Sequence, residues 1–454
     1  MLRQNASGAF ELHALLKQFL AEKLAQNPDE QRQVVAAHGR FFAKFLKAKE
    51  KALQGGQQAK TLGEIVLAIE DIRVAWQWAV QNQQLDLIGE VAESLYLFFW
   101  ARNRFAEGRA FFAEAIGVIE QEGATAESNL LLARLRARLA DLLLWLGEYD
   151  LAEAMLAQSI AIYRNQNARY ELMLALEILG RLHYAQGSYK DARLCFEESA
   201  ALGQQLNTVA GLAQAQSNLA STICTETADY ATARRLYDES MRGYRAIDDQ
   251  FGIAKVIINL GAIELEGANY AAAQQLFEQS LHIYRTLDYR YGIGAALVYL
   301  GDIAQKTADY PTAKQLLEES LTLNRDSGHR LAIVESLVSL GRVTVLAGDF
   351  AAARQYLAEA LRIATDVQSA NLILTTLKTY ARLFFAVGES GQATAILQFI
   401  AAFPMESQEL KEQVRELLHE FVPGFEETEQ ALPSTTLDQI IAEVWRVHHN
   451  LVRL

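Results

Sequence analysis

The stretch GANYAAAQQLFEQSLHIYRTLDYRYGIGAALVYLGDIAQKTADYPTAKQLLEESL, residues Gly267–Leu321, carries one phrase twice. ANYAAA ends at Ala273 and ADYPTA ends at Ala313, and both read as a small residue, a polar residue, an aromatic, two residues and alanine. Outward from this stretch the same phrase recurs as GEYDLA, GSYKDA, ADYATA, GDFAAA and, weakened, GESGQA. The final alanines are Ala152, Ala192, Ala233, Ala273, Ala313, Ala353 and Ala393, at spacings of 40, 41, 40, 40, 40 and 40 residues. A fixed period of this length is the signature of a repeat array, in which each unit buries its apolar face against its neighbours.

One unit can be read physically. A second small residue precedes the alanine by 12 residues at Ala140, Gly180, Gly261, Gly301, Gly341 and Ala381, and by 13 at Ala220. It lies on a first helix, A, and lets a neighbouring helix approach closely. Helix A stops at Gly147, Gly187, Gly348 or Gly388, where glycine suits a C-terminal cap. Ser188, Asp229, Asn269, Asp309 and Asp349 then stand at the N-cap of a second helix, B. Pro311 falls in a first turn, where its missing N–H does little harm. Helix B continues with a large apolar residue four after the alanine (Leu156, Phe196, Tyr237, Phe277, Leu317, Leu357, Leu397). Three further on comes a small residue (Ser159, Ser199, Ser240, Ser280, Ser320, Ala360), which completes one packing face.

The rest of the composition agrees. The 454 residues are 51% apolar and 21% charged, which is an ordinary folded composition. Five prolines occur in all and none lies between Pro311 and Pro404, so the chain reads as mostly α. The net charge of −13 argues against a nucleic-acid or anionic-membrane surface, both of which need clustered cations. Cys195 and Cys224 are the only cysteines, which fits a reducing cytoplasm without a disulfide framework. No apolar run reaches the ~18 residues of a membrane span, and the N-terminus has no signal-peptide core.

The order of small, aromatic, alanine, large apolar and small residues resembles the tetratricopeptide repeat. The common repeat is about 34 residues long and ends helix B with a proline. Here that place holds Arg164, Arg245, Arg285 and Arg325, so helix B is free to run on and the period lengthens. The resemblance implies an all-α α-solenoid, a right-handed superhelix of antiparallel helix hairpins. Seven repeats occupy 126–403, and a degenerate one spans 84–122 with Tyr96, Gly108, Phe112 and Ala115 in register.

The flanks divide into the end of a preceding, winged-helix-like module (1–25), a helical N-terminal cap (26–83) and C-terminal capping helices (404–454). FELHALLKQFLAEKL is read as a helix, and Asn27 and Pro28 as the cap and first residue of the next. IEDIRVAWQWA (Ile69–Ala79), FWARNRFAEGRAFFAEA (Phe99–Ala115), the inter-repeat phrase IYRTLDYRYGIGAAL and the stretch LKEQVRELLHEFVPGFEETEQALPSTTLDQIIAEVW resemble parts of bacterial signal-transduction ATPase regulators, MalT-like and antibiotic-regulator-like. That family's ATPase and DNA-binding modules are absent. The nearest phrase to a phosphate loop, QGGQQAKT (Gln54–Thr61), has Gln54 and Ala59 where glycines belong and reads as a loop. GIGAAL (Gly292–Leu297) lacks a third glycine and lies in a helical pattern. The resemblance implies a sensor module of a transcriptional regulator; the alternative is a constitutive protein–protein scaffold with no small effector.

No catalytic set can be assembled. The histidines (His13, His38, His183, His282, His329, His419, His448, His449) show no metal-ligand spacing, and His448-His449 is assigned to a solvated tail. No cofactor is expected. What remains is the face lined by helices A. The residue after the small one is Asp141, Arg181, Ser221, Ala262, Asp302, Arg342 or Arg382 in successive repeats, and two before it stand Arg138, Ile178, Asn218, Asn259, Tyr299, Ser339 and Thr379. The candidate ligand-binding residues on this concave face are Arg181, Tyr184, Asn218, Lys255, Asn259, Tyr299, Arg342 and Arg382. Asparagine can pair with a peptide C=O and N–H at once, and arginine forks a carboxylate or phosphate. The expected occupant is a protein, a peptide or a small effector. The alternative is that these residues bond to solvent or to one another between repeats.

Overall fold

The computed structural model describes the chain apart from residues 1, 5–9, 13, 54–56, 122–125, 405–406, 423–435 and 453–454. Of QGGQQAKT (Gln54–Thr61), expected to be a loop, Gln54–Gly56 lie outside the described residues, as do His13, Pro423 and Pro433, whereas Gln58–Thr61 are helical instead, forming the first turn of the helix that runs to Gln81. The chain divides into two compact units, one of Met1–Phe98 with Glu114–Leu131, the other of Phe99–Ala113 with Leu132–Leu454. The division passes through the degenerate hairpin of 84–122.

The first unit opens with strands β1 (Leu2–Gln4) and β2 (Phe10–Leu12), which pair antiparallel with Arg3 opposite Glu11. Helix was expected from Phe10. Instead Phe10–Leu12 spend their backbone groups on β1, and α1 starts at Ala14 and runs to Ala25. Helix α2 (Pro28–Leu53) begins as anticipated, with Asn27 Oδ1 accepting from Glu30 N–H at 3.4 Å and Asn27 Nδ2 donating to Glu30 at 3.1 Å. Helix α3 (Gln58–Gln81) returns beside it. A Cβ on Gly39 would stand 2.3 Å from the Trp78 ring, so glycine there sets the closeness of the pair. Two further helices, α4 (Leu85–Ala101) and α5 (Phe105–Gln121), form the degenerate hairpin.

The repeats follow as α6 (Ala126–Leu146), α7 (Tyr149–Asn165), α8 (Arg169–Gln186), α9 (Tyr189–Gln205), α10 (Val209–Thr227), α11 (Tyr230–Ala246), α12 (Gln250–Glu266), α13 (Tyr270–Thr286), α14 (Arg290–Lys306), α15 (Tyr310–Ser327), α16 (Arg330–Leu346), α17 (Phe350–Asp366), α18 (Ala370–Ala386) and α19 (Ser390–Ala402). Even-numbered helices are A and odd-numbered are B. Helices α20 (Gln408–Phe421) and α21 (Leu437–Val452) close the chain.

The connections explain the 40-residue period. In the central repeats two 17-residue helices alternate with three-residue turns. One residue of each turn is left-handed, at Gly147, Asn167, Gly187, Asn207, Ala228, Asp248, Ala268, Asp288, Ala308, Gly328, Gly348, Gln368 and Gly388. Capping is less uniform than expected. Asp229, Asp309 and Asp349 accept from the N–H groups of Thr232, Thr312 and Ala352 at 3.0, 3.2 and 3.1 Å. Ser188 and Asn269 hold the N-cap place without a side-chain cap, and Asn269 donates to Glu264 instead.

Within each hairpin the small residue of A meets the large residue of B. A Cβ on Gly180, Gly261, Gly301 or Gly341 would approach Phe196, Phe277, Leu317 or Leu357 to between 2.5 and 2.9 Å. The small residue of B has a polar function as well. The hydroxyls of Ser159, Ser199, Ser240, Ser280 and Ser320, all fully buried, donate to the helix A carbonyls of Ala133, Met173, Ala213, Ala254 and Gly294 at 3.0, 3.1, 2.6, 3.0 and 2.9 Å. The arginines that replace the proline carry helix B onward and tie it to the next: Arg164 to Glu198, Arg285 to Glu319 and Arg325 to Glu359, at 2.9, 3.5 and 2.7 Å. These pairs are exposed, and each contributes about 0–1 kcal/mol.

The second unit also makes contacts across several repeats. Trp100 stacks on Tyr289 at 5.3 Å and meets Phe251 edge-on, and Arg102 pairs with Asp288 at 2.7 Å. Phe105 stacks on Trp145, which meets His329 at 4.6 Å, and His329 stacks on Tyr291 at 4.5 Å. Ser369 donates to Ala185 O at 3.2 Å. These contacts form a seam joining the C-terminal ends of early A helices to the N-terminal ends of later ones.

Candidate functional site

The predicted site residues all lie on helices A and are spread along six successive repeats. Their side chains are tied largely to other residues of the array. Arg181 Nη2 meets Asp141 Oδ1 at 2.7 Å, and Arg342 pairs in the same way with Asp302. Asn218 donates to Glu177 Oε2 at 2.6 Å and accepts from Lys255 Nζ. Asn259 donates to Ser221 Oγ at 3.3 Å, and Ser221 shares a hydrogen bond of 2.7 Å with the Tyr237 hydroxyl. Tyr184 bonds to Thr225 at 2.9 Å, and Tyr299 lies flat on Phe277 at 4.7 Å. Arg382 has no hydrogen bond or ion pair with any described residue.

Asn218 therefore differs from a freely presented clamp residue. It is 6% exposed and bridges Glu177 to Lys255. Burial pushes the Glu177 carboxyl up, although Lys255, Arg181 and the Asn218 hydrogen bond pull it down. Burial also lowers the Lys255 ammonium to about 8, against the attraction of Glu177. A pair governed by mutual attraction would move the other way on both sides, so loss of water outweighs attraction here. Glu177 Oε1, Ser217 Oγ and Arg342 Nε are buried without a hydrogen-bond partner among the described residues. Glu177 was missed from the sequence; its signal was a lone carboxylate at an inward position of the apolar run LALEILG.

Two further titratable groups line the same side. Glu335 keeps an accessible side chain, yet the surrounding protein pushes its carboxyl up to about 7. His329 is 2% exposed. It caps α16, with Nδ1 accepting from Ala332 N–H at 3.0 Å, and burial among aromatics lowers it to about 3. His448 is also misassigned as a solvated tail: α21 continues past it, and its ring lies 3.4 Å from the Tyr380 hydroxyl. Cys195 is half-buried in helix B with its thiol pushed up to about 12 by burial, which suits packing and not nucleophilic chemistry. Among the described residues no group of His, Cys, Asp and Glu could hold a metal ion, and no helix is long and apolar enough to cross a membrane.

This hairpin array defines the class. Residues 131–205, 211–286 and 292–366 match the family model of the tetratricopeptide repeat, and the chain is an all-α tetratricopeptide solenoid. Among solved structures it is similar to the Rap protein complexed with competence and sporulation factor, with a TM-score of 0.57 and 13% identity over 79% of this chain and 96% of that one. NprR in complex with its cognate peptide NprX aligns with a TM-score of 0.55 and 16% identity over 79% and 97%. A signal-transduction ATPase with a tetratricopeptide sensor from Pyrococcus horikoshii aligns at only 0.43, with 12% identity over 76% and 53%. At these identities the likeness concerns the fold alone. No curated protein sequence matches the chain.

Proposed function

We propose that this chain is a binding module that takes a peptide or protein segment, or a small effector, along the inner face of its A helices, as the sensor part of a signal-transduction ATPase regulator. The observation that carries the binding reading is the set of incompletely satisfied polar groups on that face. Among the described residues Glu177 Oε1, Ser217 Oγ and Arg342 Nε have no hydrogen-bond partner, and Arg382 forms no ion pair. Polar groups left unpaired cost stability, and an extended chain brings C=O and carboxylate groups to the half-buried Arg382 guanidinium. The similar NprR fold in complex with its cognate peptide favours a peptide. The regulator parentage rests on the flanking phrases, and an in-frame phosphate-loop module encoded beside the array would support it.

The self-paired residues Asn218, Lys255 and Asn259 favour a second reading, a constitutive scaffold whose inner face is mainly structural. A photo-crosslinker placed at Ala262 on α12, compared with one at Asp238 on α11, tests the inner face. A partner or effector captured from Ala262 and not from Asp238 is the expected result. Capture from Asp238 alone makes the outer face functional and refutes the proposal. A co-purifying small molecule or peptide released on denaturation distinguishes the sensor from the scaffold.

A further inference from the structure

The residue after the small one on helix A forms a ladder through the array: Asp141, Arg181, Ser221, Ala262, Asp302, Arg342, Arg382. Twice an aspartate is followed one repeat later by an arginine, and twice the two close an ion pair. In both, the later Nη2 meets the earlier Oδ1. Neighbouring repeats therefore place this position so that an arginine serves a carboxylate on the repeat before it. The half-buried side chains of Arg181 and Arg342 show how the fold accommodates the pair, with the charges compensated inside the array.

At the last step the pattern breaks. Arg382 stands where an arginine should meet a carboxylate, and the preceding repeat offers Arg342. Arg382 is half-buried and forms no hydrogen bond or ion pair with a described residue. Burial lowers its pKa; Glu420 and Glu416 on α20 act in the opposite direction without pairing, and the charge of Arg342 adds to the lowering. Arg342 is already committed through Nη2 to Asp302 and to Ser339 Oγ at 3.3 Å, but its Nε is buried with no acceptor. Among the described residues one guanidinium thus pairs with no carboxylate, and its neighbour keeps a donor without an acceptor.

We propose that Arg342 and Arg382 form an oxyanion site, completed by a ligand carboxylate or phosphate that takes the place Asp141 and Asp302 hold in earlier repeats. The site rests on the inner-face reading above and adds the chemistry of one ligand group. Two guanidiniums on successive repeats, near enough for the charge of Arg342 to act on Arg382, favour an oxyanion over a neutral carbonyl.

The test uses the full chain with inorganic phosphate and acetate as probes, at ionic strength held constant with chloride. Arginine Nε–Hε resonances and the melting midpoint are followed through each titration. Saturable shifts of Arg342 and Arg382 with either probe are expected; acetate alone would assign a carboxylate ligand, phosphate alone a phosphorylated one. Arg382→Gln should weaken the binding about tenfold, Arg382→Lys should retain part of it, and Arg245→Gln on the outer face should leave it unchanged. Since Arg382 carries no ion pair, Arg382→Gln should keep wild-type circular dichroism; if it does not, the resonance shifts in the wild-type chain decide. No saturable response in the wild type, or equal weakening by Arg245→Gln, overturns the site. If the Ala262 crosslink survives in Arg382→Gln while phosphate and acetate have no effect, the site falls and the inner-face reading stands.

Discussion

Replacing Gly261 by alanine sets two opposed effects against each other at one buried contact. In a helix interior the change should stabilise by about 0.8–1 kcal/mol through backbone propensity. The new methyl, however, would stand 2.6 Å from Phe277 Cε1, 2.9 Å from Cδ1 and 3.2 Å from Cζ. Phe277 is fully buried and lies flat against Tyr299, so the ring has little room to retreat. Overpacking of this kind costs about 1–3 kcal/mol, which leaves a net loss of about 1 kcal/mol. Elsewhere the array resolves the conflict by pairing alanine with a smaller residue, as at Ala140 with Leu156 and Ala381 with Leu397, 16 residues apart in each case. Gly261→Ala combined with Phe277→Leu should therefore be less damaging than the sum of the single changes, by about 1 kcal/mol of coupling. Urea titrations followed by circular dichroism, with amide exchange of α12 and α13 as a local check, measure all four corners of the cycle. A stabilised Gly261→Ala, or strict additivity, would show that the register assigned to the small residue is wrong.

Other outcomes follow from particular residues. Ala268 and Ala308 occupy left-handed turn positions at φ of 57° and 61°; glycine at either should raise the melting midpoint, by about 0.5 kcal/mol or more, because alanine costs about 1–2 kcal/mol there and glycine repays only part in chain entropy. Ser280→Ala removes the hydroxyl bound to Ala254 O and should cost about 1 kcal/mol by denaturant midpoint, whereas the corresponding residue two repeats on is already Ala360. The folded-state pKa of Glu335 is raised from 4.5 to about 7, so the folded chain holds more protons than the unfolded one across that window. Stability from this group is full below about pH 4.5 and is lost as pH rises through 7; Glu335→Gln should flatten that fall, and an unchanged slope of denaturant midpoint against pH would refute it.

The repeat was legible because its determinants are local. Gly261 and Phe277 belong to one hairpin, and so do Ser280 and Ala254, so a fixed spacing suffices to find them. Asp229, Asp309 and Asp349 could be read as caps because the cap and its N–H lie three residues apart. The strand Phe10–Leu12 was not legible, since its apolar pattern fits a helix until β1 is placed beside it. The seam was hidden for a different reason. Trp100, Trp145 and His329 come together through the summed small rotations of several repeats, a quantity that no single spacing carries. For the candidate site, the sequence placed the residues on helices A but did not carry their bonds across repeats. Lys255 and Asn218 fall at different positions of adjacent repeats, and only the stagger between helices brings them together; Arg382 is conspicuous only once Asp141–Arg181 and Asp302–Arg342 are seen as pairs.

The seam alters how such an array should come apart. A solenoid whose units touch only their neighbours unfolds from its ends, unit by unit, because every broken interface is local. Here Arg102 and Asp288 are 186 residues apart in sequence, and Ser369 and Ala185 are 184 apart. Fraying of an early hairpin therefore removes partners from the middle of the array, and the free energies of distant repeats become linked. Unfolding of the second unit should be sharper than a chain of independent repeats allows. Its folding should also be slower, because these long loops must close before the aromatic contacts between Trp100, Tyr289, Trp145 and His329 offset their entropy.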